Sequence, residues 1–424
     1  MVTTRYINPY QPGLGHSAPY LAGRDNQLDV FTRVLQQGSQ SRNLILTGLR
    51  GMGKTVLIQE MKPLAIEANW LWSYTDFSAS ANITERDIAT RVITSFSLFT
   101  SKRALNQEDI DHFGILPESD QGNGKHYLNF AALSQVYDHT NGSISDKLKV
   151  VLEFVWKYLS KSPTIAGVIL VCDEAQNLSD EAAEGQEPLT TLVDVFQPLQ
   201  EKGIPFMLML AGLPTLFPKL VSSRRIADSM FQVVHVGSLN EEECRQAILK
   251  PIEQHSQLIH LDESDVEAII ELSAGYPYFV QLICREVYDN LLQPLNESDL
   301  GASGARSSLP VEEIVHKLNV DFFTDRWTNA TNRQQDVLSV VATLDYCEDE
   351  FSVQEVSDKS KELLTKPLSS SQVNQLLMKL SQIGLVYKSR YGRYSFAVPL
   401  MGQFIKRQIC QINPFKEQKE EETE

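Results

Sequence analysis

Residues 48–55 read GLRGMGKT, the pattern G-x-x-x-x-G-K-[S/T] of a loop that wraps the phosphate groups of a nucleotide. The apolar run Leu44–Leu46 precedes the loop and predicts a short buried strand, and VLIQEM at residues 56–61 predicts a helix start. A phosphate held here would lie at a helix N-terminus, where backbone N–H groups favour an anion. A chance glycine-rich turn would not require this strand–loop–helix context, so we predict a nucleotide-binding site.

Each residue type in this loop has a role in holding phosphate. Glycines allow the tight turn that points several backbone N–H groups inward. Lys54 is expected to reach the β- and γ-phosphates and to assist catalysis, and Thr55 is expected to offer its hydroxyl to Mg²⁺. The other loop residues expected around ATP are Gly48, Arg50, Gly51, Met52, Gly53 and Val56.

A second apolar run ends in two carboxylates. Residues 167–178 read GVILVCDEAQNL, and Val168–Cys172 has the composition of a central parallel strand. Ligands of open α/β sheets bind at the carboxyl ends of the strands, which is where Asp173 and Glu174 are expected. We expect Asp173 to hold Mg²⁺ and Glu174 to orient or deprotonate the attacking water. An acidic pair after a strand is common at surfaces, but together with the upstream loop it favours hydrolysis over passive binding.

Composition limits the class of protein. The chain has 424 residues, 42% hydrophobic and 22% charged, as in globular proteins of two or three domains. No apolar run is long enough for a membrane span, and the N-terminus lacks a signal-peptide pattern, so we expect a cytoplasmic protein without a membrane partner. Five widely spaced cysteines, and eight histidines without metal-ligand spacing, argue against a disulfide framework and a zinc site.

The order of predicted elements divides the chain into six segments. Strands alternate with helices in the first half, which predicts an α/β fold with a doubly wound parallel sheet. Helices alone follow, and the last block predicts three helices and a hairpin, as in a winged helix. Helix N-caps are expected at Asp25, Asn240 and Thr331. The segments are an extended arm at 1–18, a P-loop ATPase core at 19–238, an all-helical lid at 239–292, a linker at 293–329, a winged-helix domain at 330–410 and an acidic disordered tail at 411–424.

Charge is unevenly distributed along the chain. The net charge is −16, yet residues 363–410 contain seven Lys or Arg and no Asp or Glu. Duplex DNA is one partner for this basic block, with phosphate contacts expected at Lys379, Lys388, Arg390 and Arg393. The acidity of the whole chain is unfavourable for nucleic acid. Winged helices also bind proteins, so a protein partner, or the acidic remainder of this chain, stays equally open.

Together these motifs resemble the AAA+-like P-loop ATPases of the branch that includes origin-recognition ATPases, bacterial transposition regulators and STAND switch ATPases. GRD at residues 23–25 resembles the adenine-side motif of that branch, which implies that Gly23 and Arg24 contact the nucleotide. AGYPYFVQLI at residues 274–283 resembles its G-x-P lid motif, which implies the same for Pro277. The resemblance also implies a homo-oligomer in which Arg225, or its neighbour Arg224, reaches a neighbouring site as an arginine finger.

The sequence departs from this branch at its sensor positions. Leu213 stands where a polar residue is usual, with Thr215 as a substitute, and the lid motif contains no arginine, the next being Arg285. These departures predict a slow ATPase that acts as a switch.

Two outputs remain open from the sequence. The switch could couple ATP and ADP states to a winged helix that contacts DNA and recruits a separate effector protein. It could instead be a STAND-type scaffold of a bacterial defence or signalling system, with a winged helix that binds protein. The sequence contains no second catalytic constellation, so an effector is expected on another chain.

Overall fold

The computed structural model describes residues 8–13, 18–38, 42–78, 83–115, 126–178, 187–216, 220, 230–255, 261–297, 314, 317, 323–345, 350–390 and 392–412. The chain divides into two compact units. We call Arg24–Gly48 with Lys54–Val236 the sheet unit. The second unit comprises Met1–Gly23, Leu49–Gly53 and Gly237–Glu424.

The sheet unit contains a parallel sheet of five strands in the order β2-β3-β4-β1-β5. The strands are β1 (Asn43–Thr47), β2 (Trp70–Asp76), β3 (Gly167–Asp173), β4 (Phe206–Gly212) and β5 (Phe231–His235). After β1 the chain moves to the edge at β2 and returns through β3 to β4, so the carboxyl ends of β1 and β3 flank that of β4. Doubly wound sheets bind ligands where the strand order changes direction in this way.

Helices cover both faces of this sheet. The helices are α1 (Asp25–Gln36), α2 (Lys54–Glu67), α3 (Glu85–Thr100), α4 (Gln107–Phe113), α5 (Phe130–His139), α6 (Ile144–Leu159) and α7 (Pro188–Glu201). Strand β3 is buried along its whole length. Its residues Val168, Leu170 and Cys172 pack into one hydrophobic cluster with α3, α5, α6 and α7, whereas Ile169 and Val171 are buried outside it. Successive side chains of a strand point to opposite faces, so the predicted parallel α/β core is confirmed.

Helices dominate the second unit. They are α8 (Glu241–Leu249), α9 (Glu263–Ser273), α10 (Pro277–Glu297), α11 (Asp325–Thr328), α12 (Asn332–Ala342), α13 (Val353–Leu363), α14 (Ser370–Gln382) and α15 (Met401–Ile412). An antiparallel sheet, in the order β6-β8-β7, joins β6 (Phe351–Ser352), β7 (Val386–Arg390) and β8 (Arg393–Phe396). The three helices and the hairpin predicted for the last block are present, and the identification of this block as a winged helix stays a prediction.

One hydrophobic cluster runs through the second unit. The ring of Phe323 lies between that of Phe279 on α10, at 5.7 Å between centroids, and that of Phe404 on α15, at 5.0 Å. The predicted lid and the C-terminal helices therefore share a core.

Two of the three predicted N-caps are confirmed. Asn240 caps α8, where its side chain accepts the Glu243 N–H, and Thr331 caps α12. The prediction for Asp25 is wrong, because Arg24 is the N-cap of α1 and Asp25 is the first helical residue.

The N-terminal segment packs against α10 through Tyr10. This tyrosine is 2% exposed, its hydroxyl donates to the Ile248 carbonyl, and its ring meets the edge of Tyr288. The side-chain amide of Asn8 donates to the Arg285 carbonyl at 2.9 Å. Across the described residues, no helix combines the length and apolar character needed to cross a bilayer.

Candidate active site

The phosphate-loop pattern leads from the end of β1 into α2. The Gly48 N–H donates to the Gly212 carbonyl at the end of β4, at 3.2 Å. A Cβ on Gly48 would lie 2.2 Å from the Val236 carbonyl oxygen, so the close approach requires glycine. Lys54 is buried at the first position of α2, and its Nζ donates to the Gly48 carbonyl at 2.9 Å. The ammonium therefore lies inside the turn, where a phosphate would meet it.

The next residue along the chain reaches the carboxylate predicted to bind metal. Thr55 Oγ1 donates to Asp173 Oδ2 at 2.8 Å. The Glu174 N–H donates to the other oxygen, Asp173 Oδ1, at 2.9 Å. Asp173 ends β3 and is 2% exposed. The fold thus brings together two residues that are far apart in the sequence and that we predicted as one metal site.

A tyrosine that the sequence analysis missed completes this group. Tyr74 OH, on β2, donates to Asp173 Oδ2 at 3.0 Å. Burial raises the pKa of the Asp173 carboxyl, and the hydrogen bonds from Thr55, the Glu174 N–H and Tyr74 act against that rise. The raised pKa of the Tyr74 phenol, caused by burial and by the neighbouring Asp173, keeps it protonated as the donor. The alternation of β2 and its register beside β3, which pairs Tyr74 with Val171, could have indicated this contact.

The chemistry of this pair fits Mg²⁺. A carboxylate and a hydroxyl are hard oxygen ligands, and Mg²⁺ is usually bound by one or two such groups together with water and substrate phosphates. Among the described residues, no group of three or more His, Cys, Asp and Glu side chains could hold a metal by itself. The Thr55–Asp173 pair supplies the kind of oxygen ligands that Mg²⁺ takes when it also binds substrate phosphates.

Glu174 follows in an unusual backbone conformation. Its φ is +53°, in the left-handed region that residues other than glycine rarely adopt. The Gln176 amide donates to Glu174 Oε2. The predicted water-orienting carboxylate is thus held by a residue that the sequence analysis did not single out.

Other predicted nucleotide contacts belong to the second unit. The Gly51 carbonyl accepts the N–H of Tyr278 at 3.2 Å, directly after Pro277 of the G-x-P motif. The Arg50 guanidinium is near Gly384, before β7, with Nη1 3.2 Å from the place of a Cβ on that glycine. The loop residues in this unit therefore contact both the predicted lid and the predicted winged helix.

The GRD motif has a tight environment. Gly23 has a φ of +63°, and a Cβ there would lie 2.4 Å from the Glu243 side chain of α8. Arg24 is 4% exposed, which is unusual for arginine and fits a structural as well as a ligand-contacting role.

The predicted DNA contacts are spread over α14 and the hairpin. Lys379 and Lys388 are exposed, and Arg393 is half-buried. Arg390 ends β7 and is the register partner of Arg393 on β8. Arg225, the predicted arginine finger, and its neighbour Arg224 lie outside the described residues.

Two family models match parts of the chain. Residues 20–215 match the family model described as "AAA ATPase domain". Both the loop at 48–55 and the Asp173–Glu174 pair lie inside the matched range. A little under half of the chain is thus similar to AAA ATPase domains. Residues 320–405 match a model described as a domain of unknown function (DUF8462). A comparison with curated proteins gave no match.

Comparison with solved structures gives several similar chains. The chain is similar to the Walker-type ATPase of Pyrococcus abyssi, with 15% identity, a TM-score of 0.54, and coverage of 93% of this chain and 99% of the other. The ADP form of the ORC2 protein of Aeropyrum pernix has 14% identity and a TM-score of 0.49, over 93% of this chain and 97% of the other. The ORC1 protein of the same organism, in complex with DNA, has 16% identity and a TM-score of 0.45, over 94% of each chain. At 15% identity, the likeness to the Walker-type ATPase concerns the fold alone.

Proposed function

We propose that the AAA ATPase domain binds ATP with Mg²⁺ and hydrolyses it slowly to ADP and phosphate. The observation that carries this proposal is the 2.8 Å hydrogen bond between Thr55 and Asp173, next to the buried Lys54. A loop that binds phosphate without metal chemistry would not need a buried carboxylate aimed at its threonine.

The chain's own residues divide the work of the reaction. Lys54 supplies a fixed positive charge to the β- and γ-phosphates, and the loop backbone supplies N–H groups. Thr55 and Asp173 would hold Mg²⁺, which would neutralise charge on the phosphates. Glu174 accepts the proton of the attacking water or orients that water, because its carboxylate lies beside the metal ligand.

We further propose that nucleotide state is passed to the C-terminal domain. The hydrogen bond between the Gly51 carbonyl and the Tyr278 N–H, and the contact of Arg50 with Gly384, support this coupling. A ligand that moves the phosphate loop changes both contacts, and so biases the second unit between two states. The predicted roles of Gly23, Arg24 and Pro277 in nucleotide contact belong to this proposal.

The positive charge of residues 363–410 favours duplex DNA as the partner of the C-terminal domain. Residues 363–410 contain seven basic and no acidic residues, and Lys379 and Lys388 are exposed. Phosphate contacts from such residues dominate affinity for DNA and do not read sequence. The bound switch would then recruit a separate effector protein, and a homo-oligomer with Arg225 as its arginine finger remains a prediction.

A STAND-type scaffold whose winged helix binds protein is the second candidate. The observation in its favour is apolar exposure on the same block: the Met378 side chain is 53% exposed on α14, and Ile383 is 49% exposed after it. Apolar surface of this kind is typical of a protein contact rather than a phosphate contact. A cytoplasmic location fits either candidate.

Steady-state ATP hydrolysis, measured with and without duplex DNA, tests the proposal. Glu174→Gln keeps the size of the side chain and serves as the blank. Turnover above the blank supports the ATPase, and a wild-type rate equal to the blank rejects it. Stimulation by DNA that disappears in the double variant Arg390→Glu/Arg393→Glu supports the DNA output. A rate that ignores DNA favours the protein-binding scaffold.

A further inference from the structure

The turn that carries Glu174 is attached to the strands on either side of β3. After Glu174 the backbone forms a single 3₁₀ turn, Ala175–Asn177. The side chain of Asn177 donates to the Phe77 carbonyl, just after β2, at 3.1 Å. The Phe77 N–H in turn donates to the Asp173 carbonyl at 3.1 Å. These two hydrogen bonds to the backbone of Phe77 therefore fix the turn on the side of β2.

Gln176 attaches the same turn to β4. Its Oε1 accepts the N–H of Leu213, directly after β4, at 3.1 Å. Its Nε2 donates to Glu174 Oε2 at 2.5 Å. Gln176 is only 9% exposed, so water competes little for either contact. One side-chain amide thus uses its acceptor for a backbone group and its donor for the candidate catalytic carboxylate.

The peptide group that Gln176 contacts also contacts the phosphate loop. The Leu213 N–H belongs to the same planar peptide as the Gly212 carbonyl, which accepts the Gly48 N–H at 3.2 Å. A Cβ on Gly212 would lie 2.5 Å from Gln176 Oε1. Glycine at this position therefore leaves room for the Gln176 amide, and one rigid peptide joins Gln176 to the first loop residue.

We propose that Gln176 is a positioning residue for hydrolysis, which fixes the Glu174 carboxylate relative to the Gly212–Leu213 peptide and the start of the phosphate loop. The inference rests on the proposed function, because it takes Glu174 as the residue that orients water. The backbone N–H of Leu213, through Gln176, is linked to the Glu174 carboxylate although the Leu213 side chain is apolar.

Gln176→Ala separates positioning of Glu174 from binding of the nucleotide. Gln176 does not belong to the phosphate loop or to the metal pair, so we expect the KM for ATP with Mg²⁺ to stay within about threefold of wild type. We expect kcat to fall by about 10- to 100-fold, the range that a misplaced reacting group costs. Gly212→Ala displaces the Gln176 amide without removing it and should lower kcat in the same way.

Two further variants define the contacts involved. Gln176→Glu keeps an acceptor for the Leu213 N–H but sets a carboxylate against Glu174, so kcat should fall although the link to Leu213 persists. Gln107→Ala is the matched control, because Gln107 also donates its amide to a carboxylate, Asp111 at 2.8 Å, on the exposed surface of α4. Its kcat and KM should equal those of wild type.

Hydrogen exchange at Leu213 tests the link without any turnover. The Leu213 amide should exchange about tenfold faster in Gln176→Ala, which removes its acceptor, than in wild type or Gln176→Glu. Unchanged protection of this amide in Gln176→Ala overturns the link. A kcat unchanged or increased in Gln176→Ala, or a loss of kcat that follows a matching loss of nucleotide affinity, overturns the positioning role. A wild-type rate equal to that of Glu174→Gln would instead reject the proposed ATPase, and the exchange result would still decide whether Gln176 holds the peptide.

Discussion

Tyr74 OH donates to Asp173 Oδ2, the same carboxylate oxygen that accepts the hydroxyl of Thr55. The two donors approach from different elements, β2 and α2, and fix the plane of the carboxylate. Partners of metal ligands outside the coordination sphere commonly change metal affinity when they are removed.

We therefore predict that Tyr74→Phe weakens Mg²⁺ and leaves the fold intact. The ring remains, but Asp173 loses one of its donors, so the Mg²⁺ concentration for half-maximal ATPase rate should rise by about 10-fold. A titration of rate against Mg²⁺ at saturating ATP measures the shift. Tyr137→Phe is the control, because it also removes a phenol hydroxyl, from a half-buried ring on α5 that contacts Lys147 of α6. Coincident titrations of both variants with wild type would contradict the role of Tyr74.

Lys54→Met should remove most of the nucleotide affinity. The substitution keeps the length of the side chain and deletes the charge that lies 2.9 Å from the Gly48 carbonyl. Hydrogen bonds to charged groups contribute about 1.5–3 kcal/mol, so we expect the Kd for ATP to rise by roughly 10- to 150-fold. Calorimetric titration with a non-hydrolysable ATP analogue measures it. An affinity within twofold of wild type would mean that the phosphates bind elsewhere.

A stability prediction concerns the ion pair between α4 and α6. Burial alone would raise the pKa of Asp109, but hydrogen bonds from Lys157 and Tyr158, each at 2.6 Å, hold that pKa below its ordinary value. A lowered carboxyl pKa contributes stability above the unfolded-state pKa, and this contribution is lost as the pH falls through the folded-state pKa. We expect Lys157→Met to lower the free energy of unfolding by about 1–2 kcal/mol at pH 7, because half the lysine is exposed and its contribution is partly screened.

Urea unfolding at pH 7 and at about pH 3 measures this difference. The gap between wild type and Lys157→Met should narrow at the acid pH, because it lies below the pKa of about 3.9 that an aspartate has in the unfolded chain. Lys149→Met is the matched control, because its partner Asp146 is on the surface, with a side chain that is 54% exposed, and little change is expected. A gap that persists unchanged at acid pH would show that Lys157 acts by packing and not by charge.

Salt dependence separates the two candidate outputs. If the basic block contacts DNA phosphates, Lys379→Ala and Lys388→Ala should each reduce the slope of log affinity against log salt by about 0.9. Fluorescence anisotropy with labelled duplex between 50 and 200 mM salt, as rough limits, measures this slope. Lys62→Ala, an exposed lysine on α2 outside the block, is the control. Slopes equal to wild type in both variants would favour the protein-binding scaffold.

The parts that the sequence predicted are those with a local signal. The loop at 48–55 has a fixed pattern, β3 is a continuous apolar run, and the cap at Thr331 has its Gln334 partner three residues later. These features depend on neighbours in the chain, so one sequence is enough to place them.

The contacts that escaped prediction depend on the fold. Gln176 donates to Glu174 within a turn where Glu174 has a left-handed φ, and a sequence rarely indicates such a φ for a residue other than glycine. To predict the contact of Tyr74 with Asp173, one would have to know that β2 pairs with β3. The mostly polar composition of residues 101–145 does not indicate α4 and α5. Asp109 of α4 accepts hydrogen bonds from Lys157 and Tyr158 of α6, nearly fifty positions away. The N-cap prediction for Asp25 was wrong because Asp25 is the first residue of α1.

The buried Tyr10 shows that the folded part of the chain begins before the range that the family model matches. The family match begins at residue 20, and a chain shortened to that point would lack a ring that fills the space beside Cys284 and Tyr288. Such a chain would contain every residue of the candidate active site, but apolar side chains on α10 would become exposed to solvent. Shortening the N-terminus to residue 20 should therefore lower solubility before it changes the chemistry of the candidate active site.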